Sequence, residues 1–242
     1  QYNRFLPLKI VMRVAANMLL NADKFSIMNN EEEGIAKNPV HLEELRIEAA
    51  KVASFAKERM KFLDSANGTD YGSWFSVGLT DGSVKQNERF VAQFVGSTRN
   101  PGQGLPFELG FLVNDDGWVK LTQTGLQFAL HENPIIDRST DWNKRETLSK
   151  NEKISLLNAI KANMPKEYEQ IVHVVKQSEG KEITPTEIEG DLMEKRSLTP
   201  TQASLERTGL MARIQDLGLI LKEKRGRNVF YIRNNVEKME GQ

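Results

Sequence analysis

The sequence predicts a mainly α-helical protein with small β-hairpins, organised as two modules in which helices run into a hairpin. Three observations carry that reading. Thr184-Pro185-Thr186-Glu187 and Thr199-Pro200-Thr201-Gln202 share one pattern: a Thr cap, Pro at the first helical position, and Glu or Gln at the third. The Thr hydroxyl accepts from an orphan backbone N–H, and the Glu or Gln side chain reaches back to the cap's own N–H. Gly218 stops the second helix, and the apolar runs Leu219-Ile220-Leu221 and Val229-Phe230-Tyr231-Ile232 follow as strands. Earlier, Asn114-Asp115-Asp116-Gly117 separates the apolar runs 109–113 and 118–121, an Asp-Gly hairpin signal.

Taken in order, residues 4–20 place Leu8, Val11, Ala15, Met18 and Leu19 at helical steps. Residues 25–38, with the acidic run Glu31-Glu32-Glu33, read as a loop. Pro39 opens a long helix whose stripe Leu45, Ala49, Val52, Ala56, Met60 and Leu63 is nearly heptad. Residues 67–82, rich in Gly, Ser, Asp and Asn, form an extended connection with Trp74 and Phe75. A third helix spans 84–95 with Phe90, Val91, Phe94 and Val95 on one face, and Gly96 ends it. After the Asp-Gly hairpin, Thr122 caps a short helix through Leu130, before Pro134. Residues 137–147 are polar and charged and serve as the linker, dividing the chain into a first domain at 1–145 and a second at 146–242.

The second domain opens on the capping box of Ser149 and Glu152, with Ile154, Leu157 and Ile160 as its stripe up to Pro165. A helix carrying Tyr168, Ile171, Val172 and Val175 runs to Gly180. Ile188 and Leu192 face the core from the Thr184 helix; Leu210, Ile214 and Leu217 do so from the Thr199 helix. The tail from Asn234 onward is polar.

Composition bounds the function. The 242 residues are 39% hydrophobic and 27% charged, ordinary for a soluble globular protein. No apolar run spans a bilayer and no signal-peptide pattern opens the chain, so a cytoplasmic, membrane-free protein is expected. The chain begins at Gln1, so an upstream segment or tag is expected to have been removed. The absence of Cys excludes disulfides and thiolate metal sites. Asn67-Gly68-Thr69 matches a glycosylation sequon but reads as a turn. The net charge is zero, so any nucleic-acid binding must come from a local concentration of positive charge.

Met211-Ala212-Arg213-Ile214-Gln215-Asp216-Leu217-Gly218-Leu219-Ile220 resembles prokaryotic winged-helix DNA-binding proteins, in which a recognition helix ends in a Leu-Gly-Leu-Ile turn leading into the wing. An aromatic closes the returning strand in those families, and Tyr231 holds that place. Leu121-Thr122-Gln123-Thr124-Gly125-Leu126 resembles the Leu-Thr-x-x-Gly segment that leaves the wing in many transcription regulators. The likeness covers 166–233, and 84–130 more loosely, and identifies no one family. It implies two winged-helix-like modules, the first with a long insertion, and an activity of duplex DNA binding.

Within that frame Lys222, Lys224, Arg225, Arg227 and Arg233 face only Glu223 along the second hairpin, about +4 locally. Five phosphate contacts would give a salt slope of roughly −4 to −5. Such residues also simply solvate a hairpin tip. On the Thr199 helix, Thr199, Thr201, Gln202, Ser204, Arg207 and Thr208 lie toward the polar side; Gln and Arg suit base edges, Ser and Thr suit phosphates. Gln202 is also needed for its capping box, and Glu206 would be repelled by phosphates. In the first module Lys85, Gln86, Asn87 and Arg89 are the candidate DNA contacts. Asp115 and Asp116 at its hairpin tip would repel a phosphate backbone, which favours an architectural role in packing or dimerisation.

The remaining readings are negative or alternative. His41, His131 and His173 are scattered without metal-ligand spacing or a paired nucleophile, and no phosphate-loop pattern occurs. Glu108, Asp115, Asp116 and Lys120 loosely suggest a nuclease cluster and are read as coincidence. The expectation is a non-enzymatic protein with no cofactor or metal. The acidic stretch 179–194 reads as a solvated face or a dock for a basic partner. The long helix allows a homodimer that would place two wings on successive half-sites. The expected function is duplex DNA binding in transcription regulation or another DNA transaction. The alternatives are a protein-binding winged-helix scaffold of a chromosome-organising or restriction-type complex, and the DNA-recognition fragment of a larger nuclease or ATPase.

Overall fold

The computed structural model describes residues 4–21, 40–68, 84–97, 99–100, 102–137 and 146–234. The chain is mainly helical with small antiparallel sheets, and it divides into two compact units, 2–133 and 134–242. The expected loop at 25–38, most of the connection at 67–82 and the tail after 234 lie outside the described residues.

The first unit is built round α1 (Leu6–Asn21). A single apolar stripe is expected there, yet Leu6, Leu8, Ile10, Val11, Met12, Val14 and Ala15 are all buried. The reason is tertiary: α2 (Leu42–Asn67), α3 (Val84–Phe94), α4 (Leu105–Glu108), β3 (Trp118–Leu121) and α5 (Gln123–Leu130) all pack against it. Lys9 is fully buried in this setting. Its Nζ donates to Phe128 O at 2.5 Å and His131 O at 2.6 Å, placing a cation on the orphan carbonyls at the end of α5.

The long helix α2 starts at Leu42 rather than Pro39. Val40–His41 instead forms β1, paired with Val119 and Trp118, and His41 Nδ1 accepts from Glu43 N. Leu45, Ala49 and Met60 are buried, but Ala53 and Lys57 stand where Val52 and Ala56 were expected. A straight helix drifts away from a seven-residue repeat, so the buried face follows 3.6 residues per turn. Ile47, Phe55 and Phe62 are left exposed.

The sequence did not reveal α4. Leu109-Gly110-Phe111 closes this helix rather than opening a strand: Gly110 sits at φ 68°, Phe111 N donates to Pro106 O and Gly110 N to Phe107 O. The strand β2 is therefore Leu112–Asp115, and it joins β3 through Asp116 (φ 48°) and Gly117 (φ 87°), the type I′ hairpin turn that Asp-Gly favours. The sheet order is β1-β3-β2. Thr122 then caps α5 through Gly125 N at 3.0 Å while its hydroxyl donates to Gly110 O at 2.8 Å.

In the second unit α6 (Lys150–Asn163) begins on the expected capping box, and Glu152 is fully buried by that role. Its core face is Leu156, Ala159 and Ile160; Ile154 is exposed and Leu157 only half-buried, so the expected stripe is rotated. Then come α7 (Pro165–Gln177), α8 (Pro185–Arg196) and α9 (Pro200–Asp216), followed by β4 (Ile220–Arg225) and β5 (Asn228–Arg233). Ile171, Val174, Ile188, Leu192, Leu210, Ile214, Leu217 and Tyr231 form the core. Ile183 pairs with Tyr231 in both directions, so β5 lies between β4 and that residue. No helix among the described residues is long and apolar enough to cross a membrane.

Candidate nucleic-acid interface

Local chemistry sets the frame of the candidate surface. Both α8 and α9 open on complete capping boxes with Pro in the first turn. Between them the chain turns at Ser197, whose φ of 52° is left-handed. The end of α9 is a Schellman turn: Gly218 N donates to Gln215 O at 2.8 Å and Leu219 N to Ile214 O at 3.1 Å. Only a residue tolerant of φ 72° fits there, and Gly218 supplies it. The chain then enters β4, which packs on α9. The far turn of the hairpin has Gly226 at φ 62° and Arg227 at an ordinary φ, the pattern of a type II′ turn.

Register decides where each hairpin cation points. Lys222 stands opposite Tyr231 and Lys224 opposite Val229, on the face that carries buried Ile220 and Tyr231 nearer the root. Glu223, Arg225 and Phe230 occupy the other face. Arg225 lies over the Phe230 ring at 5.1 Å and is bonded to both Glu223, at 2.6 Å, and Glu182, at 2.7 Å. Hydrogen bonds to Glu182 first and Glu223 second hold its guanidinium above the usual value. Arg233 stands opposite Ile220, at the root rather than the tip, and is ion-paired with Glu179. Lys222, Lys224 and Arg227 are exposed and have no ion pair among the described residues. Three of the five cations therefore keep their charge unopposed.

The helix residues divide similarly. Thr199, Thr201, Gln202 and Thr208 are exposed, and Ser204 is half-buried. The Gln202 side-chain oxygen accepts from Thr199 N at 3.0 Å and Thr199 Oγ1 at 2.9 Å, so its acceptor is engaged in the cap while its amide N–H donors face outward uncommitted. Thr208 Oγ1 donates to Ser204 O within the helix. Arg207 is turned inward: its Nε donates to Glu189 Oε1 at 2.8 Å, and it also bonds Tyr231. Burial raises the Tyr231 phenol above its usual value, and the Arg207 cation opposes that. Glu206 is paired with Arg196 at 2.5 Å. Leu205, 63% exposed, stands among these polar residues.

Sequence reasoning missed the partners of the cations, although their signal was visible. The acidic stretch 179–194, read as a solvated face or a dock for a basic partner, supplies Glu179 to Arg233, Glu182 to Arg225 and Glu189 to Arg207. Arg213, inside the segment that carries the family resemblance, is buried and bonds Glu167 at 2.5 Å, tying α9 to the first turn of α7.

In the first unit Arg89 is exposed on α3, whereas the side chains of Lys85, Gln86 and Asn87 lie outside the described residues. Asp115 is not a free acid at the hairpin tip: it pairs with Lys120 across the strands at 2.8 Å, which lowers its carboxyl below the usual range. Among the described residues no group of His, Asp and Glu side chains could hold a metal ion. No protein-family model, curated protein or solved structure matches the chain.

Proposed function

We propose that residues 165–233 form a winged helix-turn-helix that binds duplex DNA, with α9 as the helix offered to the groove and the β4–β5 hairpin as its wing. The reading rests on one observation: Lys222, Lys224 and Arg227 stand exposed and unopposed on a hairpin that follows α9 directly. Phosphate neutralisation by such cations supplies most sequence-independent affinity. The order of α7, paired Ile183, α8, α9 and hairpin, with β5 central, agrees with it. The first turn of α9 contains no acidic residue, and the Thr201 N–H and hydroxyl, which the capping box does not use, suit a phosphate. Gln202 and Ser204 are the residues left with side-chain donors for bases or backbone; Thr208 spends its hydroxyl proton on Ser204 O, and Arg207 serves the fold. Regulation of transcription is the activity such a module most often performs.

The test is a titration of labelled random-sequence duplex at low salt with the wild-type protein and with Lys222→Ala/Lys224→Ala/Arg227→Ala. Saturable binding that the triple change removes supports the reading; no binding by the wild type rejects it. A non-enzymatic protein scaffold is the second reading, favoured by exposed Leu205 and Leu221 beside neutralised arginines. It gains if duplex is ignored.

A further inference from the structure

The second unit also contains a groove that the nucleic-acid reading does not use. It lies between α7 and α8, has a volume of about 460 Å³, and is closed at the bottom by Leu210 of α9. Val174, Ile188, Leu192 and Leu210 make an apolar floor of buried core side chains. Cavities of this size with an apolar floor and a few polar groups at the mouth are the usual form of a small-molecule site.

The mouth is biased toward one charge. Lys166 enters from α7, and Lys195 and Arg196 from the last turn of α8, where cations complement the helix carbonyls. Two carboxylates, Glu169 and Asp191, face them. Both oxygens of Asp191 are already engaged, one by His173 Nε2 at 2.9 Å and the other by Lys195 Nζ at 3.1 Å. Arg196 gives one nitrogen to Glu206, which leaves the rest of its fork uncommitted. Lys166 has no ion pair among the described residues. Lys195 Nζ also meets His173 Nε2 at 2.6 Å, so the groups left open at the rim are the Lys166 ammonium, the rest of the Arg196 fork and the Glu169 carboxylate, with donors in excess above an apolar floor.

From this we infer a binding site for a small amphipathic carboxylate, with its hydrocarbon body over Ile188, Leu192 and Leu210 and its anion at Lys166, Lys195 and Arg196. The site is independent of the nucleic-acid reading, and each stands if the other fails.

Octanoate is the probe, with octylammonium and octan-1-ol as size-matched controls, followed by amide and methyl chemical shifts of the whole protein. Octanoate should saturate with a Kd on the order of 0.1 to 1 mM, shift the Ile188 and Leu192 methyls, and bind about fivefold or more tighter than either control. Lys166→Glu should weaken it about fivefold, and Gln170→Trp, which fills the groove from its accessible side, should abolish it. Where Gln170→Trp proves unfolded by circular dichroism, Lys166→Glu carries the decision. Equal binding of octylammonium or octanol overturns the anionic class. Absence of saturation by about 10 mM octanoate, or affinity unchanged in both variants, overturns the site.

Discussion

Arg225 and Arg227 are neighbours across one glycine, yet their removal should have different consequences for DNA binding. Arg225 is held by Glu182 and Glu223 and stacked on Phe230, whereas Arg227 is exposed and unopposed among the described residues. Each phosphate contact contributes about −0.9 to the slope of log K against log salt. With Lys222, Lys224 and Arg227 engaged, the slope is about −2.7, not the −4.5 or so that all five hairpin cations would produce. A fourfold rise in salt should then weaken binding about 40-fold rather than about 500-fold. Arg227→Ala should bring the slope to about −1.8 and the loss over that range to about 12-fold. Arg225→Ala should leave the slope near −2.7. Fluorescence anisotropy of a labelled duplex between roughly 50 and 200 mM salt measures all three proteins. If Arg225→Ala lowers the slope as much as Arg227→Ala, the carboxylate pairing does not govern which charges meet DNA, and the reasoning fails.

Three further outcomes concern the scaffold. Gly125→Ala would set a Cβ 2.1 Å from the backbone oxygen of Phe111, so the first unit should lose about 3 kcal/mol, seen as a fall of roughly 10 °C or more in its melting temperature; an unchanged melt would refute the close approach. Ser197→Gly should relieve the left-handed φ of 52° and stabilise the second unit by about 0.5 to 1 kcal/mol in a urea melt, and destabilisation would contradict the turn geometry. Glu187 caps α8 with its carboxylate, and the bonds from the Thr184 backbone and hydroxyl hold its pKa below the usual 4.5. Because the folded-state value is depressed, the stability it adds is complete above 4.5 and is lost as pH falls through the lower folded value. Glu187→Gln keeps the cap, as Gln202 does on α9, and should flatten that part of the acid limb; superimposable acid profiles would refute the linkage.

Much of the second unit was legible because its signals are local. A Thr-Pro-Thr-Glu start, a Gly after the last helical turn and a Gly in a two-residue hairpin each satisfy backbone groups within a few residues, so sequence alone places them. The same grammar occurs in the first unit, where Leu109-Gly110-Phe111-Leu112 ends α4 much as Leu217-Gly218-Leu219-Ile220 ends α9. The sequence reads as strand there because α4 is only four residues long and has no periodicity to announce it. The stripes of α2 and α6 were rotated for a related reason: apolar residues lie on more than one face of each, and the packing partner selects among them.

What sequence composition could never supply is which charges remain unspent. Arg207 and Arg233 lie 18 and 54 residues from the carboxylates that bond them, and Arg225 lies 43 residues from Glu182, one of its two; a list of cations along a strand is blind to that. Burial of Lys9 on the end of α5 is equally long-range, spanning 119 residues to Phe128. Backbone caps and turns are settled by neighbours in the chain, while Coulomb pairing and burial depend on neighbours in space. Capping boxes, helix ends and hairpin turns were thus written in the order of residues, and the short set of cations open to a polyanion was settled when helices and hairpin came together.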